Sequence, residues 1–218
     1  MVSFSNDVDI LKYEAVLFGE LHLPGQVLAA GTGGAVSGTA FTASGADFIS
    51  AQVSAGGVIY LQSADGLVDG AYEIVSVDSA TQLGISVVRS DSDDAAIAPP
   101  SATGLSYRVS TFGPQASDVG FRLTEHFGIK PGNPASIYDA DDVLDTDVLK
   151  QASVFAVISS VCAMLASEAK DDNFWKKSHH YQKLFEKARE RCRLSIDVDS
   201  DGVADVTRVG TSVRLVRD

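Results

Sequence analysis

Between Gln151 and Ser167 the chain carries no charged residue, and this limits more than any other feature how it can fold. Val154, Phe155, Val157, Ile158, Val161, Cys162, Met164 and Leu165 leave almost no polar face, apart from Ser153, Ser159 and Ser160. A helix that is apolar all round must be covered on every side. The spacing predicts a helix over 147–170, with Thr146 as N-cap and Asp147 in the first turn, where a negative charge suits the helix dipole. A second helix is expected from Asn173 to Leu194. The linking Asp171, Asp172 and Asn173 are too few for anything but an antiparallel hairpin.

The second helix is amphipathic. Phe174, Ser178, Tyr181, Phe185, Ala188 and Cys192 recur at steps of three and four and line one face. The other face carries Lys176, Lys177, Lys183, Lys187, Arg189, Arg191 and Arg193 against Glu186 and Glu190. One amphipathic helix cannot cover a partner that is apolar all round. The rest of the cover is expected from more of the chain or from a neighbouring subunit.

The seven cations and two glutamates make residues 174–194 a +5 segment in a chain of net charge −12, so everything else carries −17. That balance excludes a protein whose whole surface grips nucleic acid. A basic face on an acidic chain suits attraction between subunits or one local contact with DNA; an ordinary solvated helix face has the same composition. The uncharged run sits at the lower length limit for a membrane span and carries four serines, so a core helix is expected. The opening residues 1–10 are acidic and polar, unlike a secretory signal. Folding the hairpin at Asp172 leaves Cys162 and Cys192 roughly 15 Å apart along the helices, so two reduced thiols in a cytoplasmic setting are expected.

Upstream, residues 7–18 place Val8, Leu11, Ala15 and Phe18 on one side of a short helix ended by Gly19, before Pro24-Gly25. The composition then changes over 26–112. Lysine is absent, and short β-type runs at 27–30, 39–42, 58–62, 72–77, 83–88 and 107–112 alternate with turn signals such as Asp65-Gly66, Asp69-Gly70 and Pro99-Pro100. This is the pattern of a small antiparallel barrel or sandwich. Residues 90–103 read as a long exposed loop. Another helix is expected from Gln115 or Ser117 to Phe127, ended by Gly128, then an aspartate-rich loop over 130–145.

The expected fold class is therefore α+β. It consists of a helical bundle with a long antiparallel hairpin (1–25 and 113–195), an inserted small antiparallel β-barrel or sandwich (26–112), and an acidic turn with an extended C-terminal tail (196–218).

Candidate sites are few. Asp197, Asp199, Asp201 and Asp205, with Gly202 at the sixth position, match the first half of a calcium loop, in which alternate carboxylates converge on one ion. The twelfth position is Arg208 where a bidentate glutamate is needed, so the site is incomplete or the segment is an acidic turn ending the long helix. His179 and His180 are neighbours on a helix, point about a hundred degrees apart and cannot chelate one metal together. His22 and His126 have no local partner. Gly31–Gly34 lacks the lysine and following helix of a phosphate loop and reads as a turn. The aspartates of 139–147 suit a solvated loop better than a cation. Trp175 lies one residue off the apolar face and can pack at the hairpin tip or dock into a neighbour. No Ser/His/Asp or Cys/His set has a local signature, so a non-enzymatic protein is expected.

The helix ending YQKLFEKARER (181–191), the DVDSDGVAD turn (197–205) and the VRLVR tail (213–217) resemble head–tail connector, or adaptor, proteins of tailed bacteriophages. ILKYEAVLF (10–18) and SVDSATQL (76–83) look similar to such proteins as well. The resemblance covers the helical frame well and the β part loosely, and the β part departs from a minimal connector. It implies a structural virion protein in the neck between capsid and tail, assembled in the host cytoplasm. Such proteins form a ring, typically of twelve copies, that binds the portal protein and the next tail or neck component and surrounds the channel through which DNA passes. It implies portal or subunit contacts at Lys183, Lys187, Arg189, Arg191 and the tail Val213, Arg214, Leu215, Val216 and Arg217. It implies no cofactor. The alternative on the residues alone is a calcium-dependent binding or adhesion module, with the ion held by Asp197–Asp205.

Overall fold

The computed structural model describes residues 3–19, 21–129, 133, 135–169 and 172–210, without the side chains of 168 and 169. The chain divides into two compact units, one of Asn6–Phe112 and one of Met1–Ser5 with Gly113–Asp218.

The first unit is built on a closed antiparallel barrel. Its strands are β1 (Val27–Ser37), β2 (Ala40–Thr42), β3 (Val58–Gln62), β4 (Asp69–Ser79), β5 (Gln82–Ser86) and β6 (Ala102–Ser110), in the order β1-β2-β5-β4-β3-β6, with β6 closing onto β1. The two eleven-residue strands are shared between neighbours. The first half of β4 pairs with β3 and its second half with β5, with a register shift between Ile74 and Ser76 that bends the strand. The interior is filled by side chains. Phe41, Ile59, Leu61, Ile74, Leu83, Ile85 and Leu105 are fully buried, and the Phe41 and Tyr107 rings meet edge-on at 5.3 Å. Residues 43–57, between β2 and β3, fold into the same core: Phe48 lies 5.9 Å from the Tyr107 ring, and its backbone N–H donates to Ala80. A barrel packed in this way holds no ligand in its lumen.

The structure places Gly31–Gly34 inside β1 rather than in a turn. A Cβ at Gly31 would stand 2.8 Å from the Tyr107 hydroxyl, and one at Gly34 would stand 2.6 Å from the Phe41 ring. These glycines clear space for the core's aromatic rings. Asp69-Gly70, expected as a turn, opens β4.

The short helix α1 (Asp7–Leu11) belongs to this unit. Asn6 caps it, accepting from the Asp9 N–H at 3.0 Å, and the Asp9 carboxylate returns a bond to the Asn6 N–H. The expected helix over 7–18 is thus two pieces, α1 and a single tight turn at Ala15–Leu17.

The second unit contains α2 (Gly113–His126), α3 (Lys150–Ala169), α4 (Asp172–Arg191) and a two-stranded sheet of β7 (Arg193–Ile196) and β8 (Val206–Val209). Gly128, at φ 77°, follows α2 in the left-handed conformation of a helix stop. A 3-10 turn at Asp147–Leu149 leads into α3, and Thr146 makes no side-chain cap there. α3 is the buried helix: Val154, Val157, Ile158, Val161, Cys162 and Ala166 are at most 1 % exposed, while Met164 is 40 % exposed. α4 runs back along it. The Ser159 hydroxyl donates to the Ser178 carbonyl at 2.9 Å, and the Phe155 and Tyr181 rings lie 6.0 Å apart.

The expected fold class is overturned. The architecture is not a helical bundle with a long hairpin and a small inserted barrel. A closed six-stranded antiparallel barrel stands where a small inserted module is expected, and four α-helices are found among the described residues. The helices do not form one frame: α1 falls within the barrel's compact unit. Of the two sources of cover that the sequence leaves open for α3, more of its own chain supplies most of it. By length and composition 147–167 could cross a membrane, and about two-thirds of the most apolar window is buried inside the protein.

Candidate functional site

The face of α4 turned away from α3 is set by helical spacing. Ser178 and Tyr181 are buried and Phe174, Phe185 and Ala188 half-buried, so Lys176, Lys177, Lys183, Lys187 and Arg191 all fall on the exposed side. Arg189 is half-buried with its guanidinium 5.1 Å from the Phe185 ring centroid. Ion pairs in this unit join Arg122 to Asp118 and Lys150 to Asp147. Among the described residues, Lys183, Lys187 and Arg191 have no carboxylate within ion-pair reach. Trp175 is 45 % exposed and stacks on His179 at 6.2 Å.

At the C-terminal end of α4, Val148, Gln151, Ala188, Arg191, Cys192 and Arg193 line a shallow cleft of about 250 Å³. The Cys192 thiol donates to the Val148 and Ala188 carbonyls, and burial pushes its pKa up, so it stays a neutral thiol. Both cysteines are buried and in the reduced form. Of the expected contact residues, Lys183, Lys187, Arg189 and Arg191 are thus grouped on one helix. Val213, Arg214, Leu215, Val216 and Arg217 lie outside the described residues.

The aspartate loop joins β7 to β8. Oxygens of Asp197, Asp199 and Asp205 come within 4.8 Å of one another. Asp201 stands apart from that group, accepting from the Val203 N–H at 2.7 Å. Asp197 is buried and organises the turn: one oxygen accepts from the Ser200 N–H at 2.8 Å and the other from the Gly202 N–H at 2.7 Å. Burial alone would raise its pKa, but the amides of Gly202, Ser200 and Asp201 outweigh burial and hold the carboxyl below the usual range. Ser200 and Gly202 take positive φ to bring those amides round. Arg208, at the position where a calcium loop needs a glutamate, lies 5.4 Å from the Tyr138 ring centroid instead.

Residues 139–145 run beside this hairpin. Val143 bridges to Ile196, and Asp197 N–H donates to the Asp142 carbonyl at 2.8 Å. Asp139 and Asp142 cap one 3-10 turn reciprocally, and Asp145 accepts from the Asp147 N–H. These carboxylates close turns. His126 meets the Gly210 carbonyl at 3.0 Å, and His22 meets the Gly19 carbonyl at 3.2 Å.

The barrel unit contains a feature that sequence reasoning missed. Arg89 and Glu73 form a buried pair, with Arg89 Nη2 donating to Glu73 Oε1 at 2.6 Å and Nε donating to Oε2 at 3.2 Å. The hydrogen bonds to Glu73 raise the pKa of Arg89 further above its ordinary value. Arg89 Nη1 donates to the Ser92 carbonyl at 2.7 Å and to that of Asp94. The exposed turn Asp91-Ser92-Asp93-Asp94 is therefore wrapped round a buried guanidinium. A signal was present: Arg89 and Arg108 are the whole complement of Lys and Arg between residues 26 and 112.

Comparison with family models, curated proteins and solved structures finds no match for this chain.

Proposed function

We propose that this chain is a structural virion component, a connector whose copies form a ring between the capsid portal and the tail and surround the DNA channel. The observation that carries the reading is the exposed basic face of α4 on a chain of net charge −12. In a head-to-tail interface unlike surfaces meet, and if the rotation closes they form a ring. A chain with one basic face and an acidic remainder supplies both surfaces from a single gene product. The acidic balance also suits a channel wall that passing DNA does not adhere to. The resemblance of 181–191 and 197–205 to phage connectors adds the identity of the neighbours, the portal and the next neck component. Self-assembly on this reading rests on charge, since α3 is covered by its own chain.

The test is to mix the full chain with the cognate portal protein and image the product. A ring of this protein seated on the portal is expected, and absence of binding would overturn the reading. The alternative of a calcium-dependent binding module has the approach of Asp197, Asp199 and Asp205 in its favour. The same mixing with and without a chelator separates the two, because portal binding that survives chelation excludes a calcium-dependent role.

A further inference from the structure

We infer that the partner of the α4 basic face is the barrel unit of a second copy, with the turn Asp91–Asp94 as its principal contact. This deepens the connector reading and depends on it for the closed ring, though not for the contact itself. Residues 6–112 hold twelve Asp and Glu against Lys12, Arg89 and Arg108. Those three cations are turned onto their own unit. Arg89 is engaged by Glu73, Arg108 donates to the carbonyls of Phe18 and Gly19, and Lys12 Nζ lies 3.3 Å from the Ser90 carbonyl. Asp47, Asp65, Asp69, Asp78, Asp91, Asp93 and Asp94 are all exposed, so the unit presents an acidic surface with little to offset it. The α4 face is the converse: among the described residues Lys183, Lys187 and Arg191 have no carboxylate within ion-pair reach.

Among the acidic sites the 91–94 turn is the best prepared to bind. It concentrates three aspartates in four residues, with Lys12 and Arg89 as neighbouring cations. Arg89 Nη1 fixes its backbone from inside, and Asp94 fixes it from outside by accepting from the Asp91 N–H at 3.2 Å. A turn already ordered loses little entropy on docking. Asp93 makes no side-chain hydrogen bond among the described residues, which leaves its carboxylate free for a cation on another molecule. Arg191 and Arg193 both line the cleft at the end of α4, so two guanidinium groups stand there for an acidic turn to meet.

The experiment joins touching lysines and carboxylates with a zero-length carbodiimide. It uses the full chain at high concentration and low salt, as an equal mixture of light and heavy nitrogen-labelled protein. Cross-linked peptides carrying one light and one heavy partner, from Lys183 or Lys187 to Asp91, Asp93 or Asp94, are the expected result. Links within single-isotope pairs only, or mixed links leading to other carboxylates, overturn the inference. Reversing charge with R191E and R193E together, which leaves Lys183 and Lys187 in place to react, and separately with D93K, is expected to cut the yield of mixed links about tenfold, as is high salt. An unchanged yield overturns the inference too. Urea unfolding of both variants guards against a misfolded control. Portal binding without mixed links would sink this contact alone, and mixed links without portal binding would sink the connector reading alone.

Discussion

The barrel unit and α4 use their cations in opposite ways. In the barrel unit Arg89 and Arg108 turn back onto their own chain, one onto Glu73 and two carbonyls, the other onto the Phe18 and Gly19 carbonyls with its guanidinium 5.2 Å from the Tyr60 ring centroid. On α4, Lys183, Lys187 and Arg191 point to solvent without carboxylate partners among the described residues. A buried cation holding several acceptors fixes the conformation of what surrounds it, and removing it leaves those acceptors unpaired. An exposed one contributes almost nothing to folding and remains available for a partner. The same residue types thus mark structure in one region and a surface for assembly in the other.

The contrast breaks first, if it is wrong, at Arg89. Replacing it in Arg89→Met removes the guanidinium from Glu73 while keeping the apolar stem, and leaves a buried carboxylate without its partner. The expected loss is about 3 kcal/mol or more, read as a lower urea midpoint, with faster amide exchange over 90–94. A loss near zero would mean that the turn does not depend on its buried cation.

Asp7 tests the same unit from the other charge. It is a buried carboxyl in the first turn of α1, and its Oδ1 accepts from the Phe112 N–H at 2.7 Å. Burial raises its pKa to about 6, against the smaller opposing effects of the Phe112 N–H and the Thr111 hydroxyl. The folded state therefore holds its proton more tightly than the unfolded chain does. The stability this confers is complete below about pH 4 and is lost as pH rises through 6. Asp7→Asn keeps the acceptor and removes the ionisation. It is expected to match wild type near pH 4 and to be more stable by about 3 kcal/mol near pH 8, measured as urea midpoints across pH. A pH-independent difference would refute the assignment.

How much of this could be read from the chain follows the range of the interactions. β3 over Val58–Gln62 is legible because the run is local, apolar and bounded by turn signals. The buried face of α4 is legible for the same reason, as its 3–4 spacing is a property of one helix. Gly31–Gly34 misleads because its purpose lies on other strands, in the Tyr107 and Phe41 rings that need the missing Cβ volume. Closure of the barrel by β1 and β6 joins residues 66 to 83 positions apart, and no window of sequence contains it. The aspartate loop was visible as a turn. That Asp197 is buried and bonded to three amides depends on its junction with 142–144, which the sequence does not reveal. The Arg89–Glu73 pair is legible only in outline, from the scarcity of cations in the module.

Arg108 lies between the extremes. It is half-buried, and its hydrogen bonds go to carbonyls rather than to a carboxylate. Burial pulls its pKa down from its ordinary high value, which leaves it charged. Arg108→Met is expected to cost about 1 kcal/mol, the scale of a lost hydrogen-bonded contact with the stem's packing retained, with the effect concentrated in exchange of the 15–19 segment. A cost equal to that of Arg89→Met would show that exposure does not grade these cations.

The smallest effect is the sharpest. Lys183 and Lys187 are four residues apart on the exposed face of α4, so their like charges repel weakly across one helical turn. Replacing both in Lys183→Ser and Lys187→Ser removes that repulsion but exchanges two good helix formers for two poorer ones, each worth a few tenths of a kcal/mol. The two changes oppose each other, and the net change in the urea midpoint should correspond to no more than about 0.5 kcal/mol. A larger loss would mean that these lysines hold the fold as Arg89 does, and the division between structural and surface cations would fail. With folding unchanged, any effect of the double variant on assembly is attributable to the surface it alters, and that separation is what lets the α4 face be tested without disturbing the helix that presents it.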